Sequence, residues 1–254
     1  HLLTWRLGRL CGLCADGAPG HRQSLPVQTA GLQEPLGHQP HAAAEGKLLR
    51  QDMRSLCRSC HADLTQKLAG LEIHPPFRSG QCTACHDAHQ SDQPHQLRDE
   101  PGKFCVACHG NVAAAKRVEH PHQPVAEGQC LTCHGGHGGA TMNLLSASGA
   151  TLCTRCHANI AAKIQGPGAH TPAAAGQCAA CHEPHGGKQK YFLRADPNAL
   201  CARCHKDIGK EGDVVHPPAE SGECLTCHDP HGGPVAPALT KKVPELCADC
   251  HELA

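Results

Sequence analysis

Residues 178–205 read CAACHEPHGGKQKYFLRADPNALCARCH. They hold two copies of C-x-x-C-H, Cys178-Cys181-His182 and Cys201-Cys204-His205, and a further histidine, His185, three residues past the first copy. The same text returns outward in both directions. C-x-x-C-H also occurs at Cys57-Cys60-His61, Cys82-Cys85-His86, Cys105-Cys108-His109, Cys130-Cys133-His134, Cys153-Cys156-His157, Cys224-Cys227-His228 and Cys247-Cys250-His251, nine copies in all. Eighteen of the twenty cysteines are used; Cys11 and Cys14 remain, followed by Ala15.

C-x-x-C-H is the attachment signature of c-type haem. Two thiols add across the two vinyl groups of one porphyrin, so they must stand a fixed distance apart. Two intervening residues in a tight helical turn provide that distance. The adjacent His then lies under the iron as its proximal ligand. Zinc sites instead join two half-sites, and a redox pair or disulfide needs no His in that slot. Nine covalently attached haem c groups are therefore expected.

The motifs form a repeat. First cysteines fall at 57, 82, 105, 130, 153, 178, 201, 224 and 247, a unit of two motifs in 48 residues that shortens once to 46. The even-numbered motifs are followed three residues on by His89, His137, His185 and His231. The odd-numbered ones run into short helix-like stretches carrying Leu64, Val112, Ile160 and Ile208. His-x-Pro then precedes the next motif by eight residues, at His74, His122, His170 and His216. Gly80, Gly128, Gly176 and Gly222 follow, and the Pro and Gly suit an extended entry and a sharp turn. Leu49, Leu97, Leu145, Leu193 and Leu239 recur eight residues before the odd motifs, as haem contacts or as an apolar clamp between loops.

Counting histidines decides the coordination. Nine haems with two axial imidazoles each need nine distal ligands. His74, His122, His170 and His216 supply four, and His89, His137, His185 and His231 supply four more. His41 lies in phase, 16 residues before Cys57, and completes the nine. Out-of-phase His1, His21, His95 and His120 read as ordinary side chains, with His120 a substitute for His122. A distal His three residues from a proximal one cannot readily reach the opposite face of the same haem, so it serves a neighbour.

Composition agrees. Leu, Ile, Val and Phe make up only 41 of 254 residues, and aromatics are 2%. Such poverty ordinarily means disorder, but disorder comes with high net charge, and here 23 basic residues balance 23 acidic ones. No apolar run reaches the roughly 18 residues of a transmembrane helix, and no basic excess suggests nucleic acid. Porphyrins would replace the missing core.

Residues 1–40 read as a degenerate or scrambled repeat, and 41–254 as the nine-haem region. Stepping back by 23 from Cys57 gives two further slots, Glu34-Pro35-Leu36-Gly37-His38 and Cys11-Gly12-Leu13-Cys14-Ala15. The first has a His and no thiols, the second thiols and no His. Neither counts as a haem site. Decayed slots, or two compensating reading-frame errors in the recorded sequence, both fit.

From about residue 38 onward the sequence resembles the doubled-CxxCH multihaem cytochromes c, relatives of the small tetrahaem cytochromes of anaerobic respiration. The paired text from Cys178 to His205 carries the resemblance and recurs at Cys82–His109, Cys130–His157 and Cys224–His251. It implies a mostly irregular chain with short α-helices, a multihaem cytochrome c repeat array with a haem-packed core and little or no β-sheet. It also implies electron transfer in the periplasm or at the cell surface. The partners expected are redox proteins: other cytochromes, quinol-oxidising complexes or terminal reductases.

Two His ligands per iron leave no open position, so an electron carrier is expected rather than an enzyme. Only Met53 and Met142 exist, so His/Met ligation cannot be general. Propionates would add about two negative charges per haem and favour basic partner faces. The alternative, a reductase of nitrite, hydroxylamine or sulfur oxyanions, needs a five-coordinate haem; no C-x-x-C-K is present, and Tyr191 is the only tyrosine. A haem filament is the third reading, since tandem repeats allow oligomers. The sequence shows no signal peptide and starts at His1, so it reads as a fragment or processed form of an exported protein.

Overall fold

Four of the five odd motifs lie on a short α-helix, and the fifth, at Cys247, on a 3-10 turn. Asp52 accepts the Ser55 N–H at 3.0 Å and opens Met53–Cys60. Asp196 does the same through the Asn198 N–H, ahead of Pro197–Ala202. Proline stands in the first turn at Pro101 and Pro197, where its missing N–H costs nothing. The chain leaves helical geometry at the motif histidine, His61 or His109, and resumes as Ala62–Lys67 or Gly110–Ala115. Gly149–Cys153 and Ala158–Ile164 repeat the pattern. This is a computed structural model, and it describes residues 37–39, 41–206, 208 and 212–253. The N-terminal repeat expected over 1–40 falls almost wholly outside the described residues.

The His-x-Pro elements have the extended entry expected of them: His122, His170 and His216 are themselves extended. Single helical turns then open after the histidine, Pro75–Arg78, Gln123–Ala126, Thr171–Ala174 and Pro217–Glu220. Proline fixes φ near the helical value at a position whose N–H has no partner anyway. The sharp turn that follows is real, since Gly80, Gly128, Gly176 and Gly222 have φ between +71° and +77°. Gly128 also meets the start of an odd-motif helix: a Cβ there would lie 2.7 Å from the Gly102 Cα, so only glycine permits the approach.

Even motifs are tighter, with 3-10 turns Cys82–Ala84, Cys130–Thr132 and Cys224–Thr226 and one helical turn, Cys178–Cys181. Each then loops out and returns as a single bridge, His86 to Leu97, His134 to Leu145, His182 to Leu193 and His228 to Leu239. The recurring leucines are thus clamps on the motif histidines. The same bridge joins His38 to Leu49.

Among the described residues, sheet is confined to three antiparallel ladders of two residues per strand. Glu72–Ile73 pairs with Gly138–Gly139, His120–Pro121 with Gly186–Gly187, and Gly168–Ala169 with Gly232–Gly233. Each ladder ties the segment before a His-x-Pro to the Gly-Gly of the next unit, so units interlock. Among the described residues Leu97, at 9% exposure, is the one buried hydrophobic side chain. The polypeptide is a frame without a side-chain core. No described helix is long and apolar enough to cross a membrane.

Candidate functional site

The frame brings imidazoles together in pairs whose ring planes lie 8–31° apart. His109 faces His74, His157 faces His122, His205 faces His170 and His251 faces His216, with ring centroids 6.2, 6.3, 6.1 and 6.0 Å apart. His86 faces His137, His134 faces His185 and His182 faces His231, at 5.8, 6.1 and 5.8 Å. Odd-motif histidines thus take their partner from 35 residues behind, and even-motif ones from 49 or 51 residues ahead. Each CHxxH histidine serves the even motif one unit back.

The spacing suits one iron. A metal–imidazole bond is about 2.0 Å, and a ring nitrogen lies about 1.1 Å from the centre of a ring with bonds near 1.33 Å. An iron bound in the ring plane by one nitrogen of each of two edge-on imidazoles would therefore set their centroids about 6.2 Å apart. Ordinary aromatic pairs also span about 4.5–7 Å, so one such distance decides little. Seven pairs built from C-x-x-C-H histidines at 5.8–6.3 Å decide more.

Backbone carbonyls orient one imidazole in six of these pairs. In the even motifs the His86, His134, His182 and His228 Nδ1–H donate to the carbonyls of His95, Asn143, Tyr191 and Pro237, always nine residues on, at 2.8–3.0 Å. In the odd pairs it is the distal ring that donates: His74 to Gly136, His122 to Pro184, His170 to Pro230. A proton fixed on Nδ1 leaves the Nε2 lone pair for a metal. The loops aim those carbonyls by passing through left-handed φ at His95, Gln96, Leu144, Tyr191, Phe192 and Ala238. Neighbouring distal ligands are also tied, His74 N–H donating to the His137 carbonyl at 2.9 Å.

Burial, and then the neighbouring imidazoles, lower the pKa of His137, His185 and His231. That favours the neutral form a ligand needs. Phe77 and Phe192 lean against His137 and His122. The thiols move the other way. Burial, and then Cys82, Cys130 and Cys178 respectively, push Cys57, Cys105 and Cys153 up to about 11. Among the described residues no group of three or more His, Cys, Asp or Glu could hold a bare metal ion.

Those thiol contacts carry a second message. Cys57 meets Cys82, Cys105 meets Cys130, Cys153 meets Cys178 and Cys201 meets Cys224. Cys85 lies near Cys108, and Cys133 near Cys156. Each motif thus offers attachment points toward its sequence neighbours.

Three expected ligand positions stand apart. Among the described residues no ring stacks on His61, His228 or His41. His41 is exposed, and the partner of His89 is His38, at 5.9 Å. His120 sits in a ladder strand beside Glu119 while His122 makes the stack. Sequence reasoning missed the carbonyl partners, whose only signal is the nine-residue offset. It also missed the Lys163–Asp229 pair, 2.5 Å apart, which ties Ala158–Ile164 to the loop before His231.

A family model of the doubled CXXCH motif matches residues 38–66, 74–114, 122–162, 170–210 and 216–254. No curated protein matches the chain.

Proposed function

Since the chain belongs to the doubled CXXCH motif family and is a multihaem c-type cytochrome of electron transfer, we propose that it is a nine-haem electron carrier rather than an enzyme. Each C-x-x-C-H attaches one haem, and its His is the proximal ligand. His74, His122, His170 and His216 close four of the five odd haems, and His137, His185 and His231 three of the four even ones. Haem c, when bound, supplies the one-electron couple of iron. The chain supplies closure and proximity. Seven facing imidazole pairs leave those irons no free position for substrate.

The observation that carries the reading is the succession of thiol contacts from Cys57 through Cys224. Each of these motifs places a cysteine against or near one of the next, so consecutive groups would be held close together in sequence order. The setting we infer is the periplasm or cell surface in anaerobic respiration. Other cytochromes, quinol-oxidising complexes or terminal reductases would be the donors and acceptors.

A pyridine haemochrome count with low-temperature EPR tests this. Nine haems per chain, predominantly low-spin bis-His, are expected. Fewer than about eight haems, or a dominant high-spin signal, would overturn it.

A further inference from the structure

Eight imidazole pairs share one geometry, and only seven contain the histidine of a C-x-x-C-H. In the eighth, His38 faces His89 at 5.9 Å with an interplanar angle of 21°. No cysteine occurs between Cys14 and Cys57, and Glu34 and Gly37 stand where the two thiols would be. The loop around His38 nonetheless repeats the even-motif loops bond for bond. Its Nδ1–H donates to the Lys47 carbonyl at 2.9 Å, nine residues on. Gln39 N–H donates to Leu48, and Arg50 N–H to Gly37. Lys47 and Leu48 pass through left-handed φ, as His95 and Gln96 do. His89 is held by its own N–H donating to the Asp87 carboxylate at 2.9 Å.

We propose that His38 and His89 hold one haem by axial coordination alone, a b-type haem whose vinyl groups remain intact. The carbonyl bond keeps the His38 Nε2 lone pair free. Two near-parallel imidazoles give a metal only two opposed ligands. A bare ion such as zinc wants four in a tetrahedron, and no third His, Cys, Asp or Glu completes one among the described residues. An iron porphyrin brings its own four equatorial nitrogens and needs just such an opposed pair. Two iron–nitrogen bonds form on binding, weakly held axial ligands leave, and no vinyl carbon reacts. The site rests on the same family reading as the covalent haems but is independent of their attachment.

The test takes the purified full chain through acid–butanone extraction, with mass spectrometry of the denatured polypeptide. One extractable haem per chain with a b-type pyridine haemochrome is expected, the covalent haems staying behind. His89→Ala should abolish the extractable haem and leave the covalent count unchanged. Glu34→Cys with Gly37→Cys rebuilds C-x-x-C-H at His38 and should convert the extractable haem into one further covalent haem. A Cβ at Gly37 meets only the Leu56 Cδ2, at 3.5 Å, so the side chain fits. The proposal is overturned if no haem is extractable either from the isolated chain or after incubation with haemin. It is overturned equally if His89→Ala leaves extraction unchanged, or if the unsubstituted chain already carries a covalent haem at this loop. A shortfall in covalent haem would instead overturn the carrier reading.

Discussion

Loop 37–50 and loop 181–194 are the same backbone with different chemistry. In the first, Arg50 N–H donates to the Gly37 carbonyl at 3.1 Å and His38 Nδ1–H to Lys47 at 2.9 Å. In the second, Arg194 N–H donates to Cys181 at 2.9 Å and His182 Nδ1–H to Tyr191 at 2.8 Å. Both histidines face an imidazole supplied from further along the chain. Only the second has thiols beside it. Imidazole placement and haem attachment are therefore separate properties, one written in the loop backbone and the other in two side chains.

Stripping the second loop of its thiols should have the largest effect. Cys178→Ala with Cys181→Ala makes it a copy of the first, so the covalent haem count falls by one in mass spectra and one further haem becomes extractable with acid–butanone. Loss of that haem altogether would show that this loop, unlike the first, needs its thiols to hold haem. Opening one partner should do less. His231→Ala leaves His182 with one axial imidazole, so one haem becomes high-spin in EPR and binds carbon monoxide when reduced. His89→Ala should leave the spectra of the covalent haems unchanged.

The clamps come next. Leu97→Ala removes the one buried hydrophobic side chain among the described residues and should cost about 2–3 kcal/mol. Leu49, half-buried in the first loop, should cost about half that on truncation. Parallel denaturant titrations of the two holoproteins check the order.

The smallest effect is in acid. Burial pushes the Asp229 carboxyl up, but the Lys163 ammonium and the His231 N–H outweigh it, so its pKa lies below the ordinary 3.8. A folded-state pKa below the unfolded one gives stability that is present above about pH 4 and fades as pH falls through the lower value. Asp229→Asn should therefore flatten the loss of stability between about pH 5 and pH 3. The first loop, whose His89 is held by Asp87 without a lysine, offers the comparison. An equally steep acid limb in the variant would remove Asp229 from the account.

The motifs and their family were legible because attachment is local: Cys, Cys and His lie within five residues, and a repeat of 48 makes the distal candidates stand out by phase. The short helices and scant sheet followed from the same punctuation. Pairing was not legible, because it joins residues 35 to 51 apart through ladders only two residues long. Counting alone balanced nine against nine with His41. The structure instead faces His89 with His38, a histidine without thiols. The left-handed loop residues carried no signal either, since Lys, His, Leu, Tyr and Ala stand where glycine would have announced the turn.

The span between facing imidazoles also governs how such a gene can change. All four odd pairs span 35 residues, while the even pairs, counting His38 with His89, span 51 three times and 49 once. The missing two residues fall between His205 and His216, the one segment of that unit that no 35-residue span crosses. Insertions or deletions there alter only the looser pairing; anywhere else they would pull a histidine out of phase on both sides. Lineages carrying this architecture should thus lengthen or shorten by duplicating or losing whole 48-residue modules, with small indels confined to that linker.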